Sequence, residues 1–158
     1  MNSTINNSIK ISGISNNLPK QPFIFKHFCI ETNLILPEGK PDISNIVSIM
    51  AQVNITNTKV IKTPIITSLE RQRLTGTALS IEGELQQKIE YAADVPTQIV
   101  HSTQFNIPFG TFIMLPKDYV MNTPIHTTGY INDISLSPID KRCIFENIIL
   151  LLDGTLYH

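Results

Sequence analysis

The stretch Leu36-Pro37-Glu38-Gly39-Lys40-Pro41-Asp42-Ile43-Ser44-Asn45-Ile46-Val47-Ser48-Ile49-Met50 decides how the whole chain is read. Ile43, Ile46, Val47 and Met50 fall at i, i+3, i+4 and i+7, a spacing that lines one face of about two helical turns. Pro37 and Pro41 bound a turn that stops any helix arriving from upstream. Asp42 or Ser44 then offers a side-chain oxygen to cap a new start. The expectation is one short helix near residues 42–50, packed as a plug, with no reactive side chain on it.

Downstream of this stretch the apolar period falls to two. Val53 and Ile55 alternate with Asn54 and Thr56, and a change of face near Asn57 predicts a bulge. Lys62-Thr63-Pro64 marks a turn or an edge, and Ile65 to Arg73 reads as an irregular loop or short hairpin. Leu74 to Ile81 and Leu85 to Tyr91 form one long bent strand or two. Further strands are expected over Gln98 to Phe105, Thr111 to Pro116, Ile125 to Leu136 and Arg142 to Leu152. Upstream, Phe23 to Ile30 carries apolar residues on both faces and predicts a central strand or one covered on both sides, with His27 partly buried; Leu34 to Leu36 is a second short strand. Many short strands separated by Pro and Asn turns predict an all-β fold. The expected architecture is an antiparallel β-sandwich, or a flattened barrel, with the one short helix.

Residues 1–22 form an Asn- and Ser-rich arm ahead of a single domain at 23–158. Within the arm Ile9 and Ile11 alternate with Ser8, Lys10 and Ser12, and Ile5 and Ile14 flank them. That pattern is a short amphipathic strand. It either pairs with its own domain or adds a strand to the open sheet edge of a neighbouring subunit.

The bulk composition excludes more than it assigns. A formal net charge of -1, with no basic run, gives nucleic acid nothing to bind. Charged residues make up 16% of the chain, against roughly 25% in ordinary soluble domains. A surface built from Asn, Thr, Ser and Gln repels its neighbours weakly and suits self-association; a codon bias toward Ile, Asn and Lys produces the same composition. Cys29 and Cys143 can pair together, bond to neighbouring chains, or stay as small buried hydrophobes. His27, His101, His126 and His158 are scattered, with no CxxC or HxxxH spacing, so neither metal nor cofactor is expected. Catalytic motifs such as GxSxG, a phosphate loop or HExxH do not occur, and no catalytic residue is expected. Glu82, Glu84 and Glu90 share a parity that reads as a solvated face. The lack of Trp counts against a carbohydrate-binding sandwich. Residues 1–22 lack the basic and apolar regions of a secretory signal, and no apolar run approaches the ~20 residues of a membrane span.

Several segments, taken in order, resemble the clostridial SPOCS domain of spore-coat assembly. They are Leu36-Pro37, Lys40-Pro41-Asp42-Ile43, Ile46-Val47 and the alternating run Val53 to Ile61. Then come Gly83 to Tyr91, Val100-His101-Ser102 and Phe105 to Phe109. The resemblance covers residues 34 to 116 closely and Tyr130 to Leu152 more loosely, and Thr63 to Thr77 stands out as an insertion where the family has a tighter turn. It implies a non-enzymatic structural protein, made in the mother-cell cytoplasm and deposited on the spore surface. The partners it implies are further copies of this chain in coat, exosporium or appendage, or other spore-coat proteins if the chain is a monomeric adaptor. In the first case Ile5, Ile9, Ile11 and Ile14 supply the subunit contact, and Cys29 or Cys143 supplies interchain disulfides once outside the cell.

Overall fold

The computed structural model describes residues 9–157, and every regular element among them is a strand. The order is β1 (Lys10–Ser12), β2 (Ile24–Ile35), β3 (Ile43–Thr67), β4 (Arg73–Ala93), β5 (Val100–Met114), β6 (Ile125–Pro138) and β7 (Cys143–Leu156). They form a four-stranded sheet, β1-β3-β4-β5, and a three-stranded sheet, β2-β7-β6. All pairings are antiparallel except the parallel contact of β1 with β3. The two sheets pack face to face and do not close into a barrel, so the fold is a β-sandwich. Ile49, Leu85 and Ile89 of one sheet and Ile144, Ile148 and Leu150 of the other belong to one buried apolar cluster.

The expected helix does not form: residues 43–50 open β3. The register against β4 slips between Ile43 and Asn45 and again between Ile46 and Ser48. Each bulge inserts one residue into a period of two. Buried positions therefore recur every third residue, at Ile43, Ile46 and Ile49, which mimics helical spacing. Val47 and Met50 point outward. The β-branched residues Ile43, Ile46, Val47 and Ile49 favour the extended backbone, where their stiff side chains fit a pleated surface. A further slip between Ile55 and Asn57 sits where the change of face predicted a bulge.

Other elements also run longer than the sequence suggests. Phe23 to Leu36 is built around one strand, β2, which is neither central nor covered on both sides but lies on the edge of its sheet. Its outward residues Phe25, His27 and Cys29 are exposed. β5 passes unbroken through Ile107-Pro108-Phe109-Gly110, because an edge strand tolerates the missing N–H of Pro108.

The chain crosses from the three-stranded sheet to the four-stranded one through the Leu36–Asp42 turn, and Arg142 holds that crossing. Its Nη1 donates to the Lys40 carbonyl and to Asp42 Oδ1, each at 2.9 Å, and its Nη2 to the Pro37 carbonyl at 2.9 Å. Backbone bonds from Leu36 N–H to the Arg142 carbonyl and from Ile43 N–H to the Lys141 carbonyl flank it. From the core side, the fully buried Tyr91 donates its hydroxyl to the Pro41 carbonyl at 2.8 Å. Arg142→Ala removes three charge-assisted bonds from a half-exposed side chain and is expected to cost about 1–2 kcal/mol. Urea unfolding of the variant measures this; a midpoint equal to wild type would show that the turn holds without the guanidinium.

Candidate subunit-interaction surface

The arm bridges the two sheets. Lys10, Ile11 and Ser12 pair in parallel with Ser48, Ile49 and Met50 on the outer edge of β3. Three residues on, the Ser15 N–H donates to the Ile131 carbonyl of β6 at 2.8 Å, and the Ile131 N–H donates to Ser15 Oγ at 3.3 Å. Ile9, Ile11 and Ile14 are half-buried against the core, and Ile5 lies outside the described residues. Ile9 also lines a groove of about 670 Å³ with Ile43, Ile46, Leu136 and Ile139.

Gly13 makes the crossing from one sheet to the other possible. Its φ is +111°, and an added Cβ would sit 2.0 Å from the Ala51 carbonyl oxygen, inside the backbone of β3. Neither Gly13 nor Ser15 belongs to the apolar alternation that marks the arm as a strand. A glycine inside an alternating strand pattern signals just such a close backbone approach.

Beyond Met50 the outer edge of β3 carries no strand partner among the described residues. β4 outruns β5 as well, since their pairing begins only at Ala78. The segment from Thr63 to Thr77, which stood out as an insertion, therefore projects as a two-stranded ribbon. Its tip is closed by Ser68: the Ser68 N–H donates to the Gln72 carbonyl at 2.8 Å, and the Gln72 N–H donates to Ser68 Oγ at 3.0 Å. Ile65, Ile66 and Leu69 on this ribbon are strongly exposed. Bare apolar side chains beside an unpaired edge form a surface suited to another chain.

Cys29 and Cys143 are both free thiols. They stand on the neighbouring strands β2 and β7, but Cys29 is opposite Ile149 and Cys143 is opposite Ile35. That offset of six positions separates them by about 20 Å, far outside disulfide reach. Pairing within the chain is thus excluded. The Cys29 thiol is exposed and donates to Asn147 Oδ1 at 2.8 Å; Cys143 is half-buried.

Among the described residues no group of three or more His, Cys, Asp or Glu side chains is placed to hold a metal, and no helix is long and apolar enough to cross a membrane. Glu82, Glu84 and Glu90 line the outer face of the four-stranded sheet, where Glu90 accepts a bond from Ser48 Oγ at 3.2 Å and lies 3.6 Å from the Lys88 ammonium. Residues 42–139 match the family model described as SipL, SPOCS domain. No curated protein and no solved structure matches the chain. The matched segment takes in β3 to β6, so the arm, β2 and β7 fall outside it.

Proposed function

We propose, because this chain belongs to the SPOCS-domain family, that it is a non-enzymatic structural subunit of the bacterial spore envelope. Membership of the family ties it to a spore-coat-related role. The finer reading is that it self-assembles as a coat, exosporium or appendage protein, its arm leaving its own domain and pairing with the same edge of the next subunit. The observation that carries this reading is the arm's hold on β3. Three residue pairs cover the end of a 25-residue strand, so the contact is small enough to exchange and the edge long enough to extend. The exposed ribbon apolars and the low surface charge support the same reading. So does the exposed, free Cys29 thiol, which is open to an interchain disulfide once outside the cell.

Deletion of residues 1–18 tests the proposal. The truncated protein is expected to keep its two-sheet body and remain monomeric, while the full chain forms filaments or sheets under negative-stain microscopy. Non-reducing gels of the assembled material are expected to show interchain bands. Unchanged assembly of the truncated chain would sink the arm's role. Discrete particles from the full chain would favour an adaptor that docks on another coat protein through a sheet edge.

A further inference from the structure

The interior of the sandwich holds one feature that neither packing nor assembly uses. Glu146 of β7 is fully buried and faces Gln87 of β4, itself almost fully buried, across the gap between the sheets. The Gln87 Nε2 amide donates to Glu146 Oε1 at 2.6 Å. Two oxygens of this pair then remain buried without a partner: Gln87 Oε1 and Glu146 Oε2, one on each group. Leaving two such acceptors dry is costly. A single proton on Glu146 Oε2 turns it into a donor for Gln87 Oε1 and satisfies both at once.

We infer that Glu146 is a proton-binding pin between the sheets: protonated, it closes a cyclic acid–amide pair with Gln87, and on losing that proton it leaves a buried carboxylate with one donor and loosens the sandwich. The surroundings favour the neutral form. In register beside Glu146 stand Thr32 of β2 and Leu136 of β6, and the apolar cluster fills the rest of the gap. Glu31, Asp133, Lys88 and Glu90 alternate onto the outer faces of their strands. Tyr91 and His101 share the inner face of the four-stranded sheet, but four residues along from Gln87, about 13 Å away. No cation among these groups reaches the carboxyl. Burial raises its pKa from the ordinary 4.5 to about 7, against a smaller lowering by the Gln87 bond.

The sign follows from proton linkage. Below about pH 4.5 the folded and unfolded chains both hold the proton. Between there and about pH 7 the unfolded chain ionises while the folded one keeps its proton, so stability falls as pH rises. Above that window this group contributes no further change.

Glu146→Gln mimics the protonated acid, since its amide both accepts from and donates to Gln87. Unfolding of the full chain by urea from pH 4.5 to 8 is expected to show the wild type losing roughly a hundredfold in folding equilibrium relative to this variant. Parallel pH profiles for the two proteins would overturn the inference. Titration of the Glu146 carboxyl ¹³C resonance in the wild-type protein provides a second readout that does not depend on the variant folding. A midpoint near neutrality is expected, and an ordinary glutamate midpoint would overturn the inference.

Discussion

Gly13→Ala is expected to strip the arm from the domain while the two-sheet body stays folded. The added methyl would lie 2.0 Å from the Ala51 carbonyl oxygen and 2.9 Å from its carbon. Both are backbone atoms of a strand paired on its far side, so they cannot swing away as a side chain would. The φ of +111° adds strain that alanine resists. The arm is the part free to move. On leaving it forfeits three residue pairs on β3, the Ser15 bonds to β6 and the partial burial of Ile9, Ile11 and Ile14. Three half-buried isoleucines alone are worth roughly 3 kcal/mol. Amide exchange reads the result: protection at Lys10 to Ser15 is expected to vanish while that of β4 and β7 persists. Wild-type protection in the arm would refute the placement. The same clash arises if the arm docks on a neighbour's β3, so this variant is also expected to block assembly. Assembly that survives both this substitution and loss of residues 1–18 would have to run through another surface, and the exposed ribbon is the first to test.

How much of this was legible in the sequence depends on what carried each feature. Alternation is local, so the β class and the sandwich could be read from runs such as Val53 to Thr56 and Leu85 to Tyr91. A bulge is set by the partner strand, and so the two slips along Ile43 to Ser48 took on the appearance of a helix. The β-branched run there was the available counter-signal, and periodicity outweighed it. The apolar content of both faces of Phe23 to Ile30 suggested a covered strand, but an edge position exposes Phe25 all the same. The arm's apolar residues could be read from their alternation. Its route could not, because it depends on Gly13 meeting Ala51, 38 residues away along the chain. Glu146 shares a parity with Ile144 and Ile148, so its inward direction was readable from the strand itself. Its partner, 59 residues distant, was not.

Ile49→Asp is expected to unfold the protein, whereas Met50→Asp is expected to cost about 1 kcal/mol or less. The pair separates the two readings of the opening stretch more sharply than any spectrum. On a helix, Met50 falls near the centre of the face formed with Ile43, Ile46 and Val47, and Ile49 falls on its flank, about 110° round, so the aspartate at 50 would be the more damaging one. In the bulged strand the order reverses. Ile49 is fully buried, in register with the fully buried Ile89, and has Ile11 of the arm opposite it on its free side. A carboxylate there has no cation and no spare donor, and must be desolvated or drag water between the sheets. Either route costs several kcal/mol against a total stability of about 5–15 kcal/mol. Met50 is 54% exposed, so its replacement loses a little packing and some strand propensity. Thermal unfolding by circular dichroism gives the comparison directly. A destabilised Met50 variant beside a tolerated Ile49 variant would overturn the strand, and with it the registers that place the arm on β3.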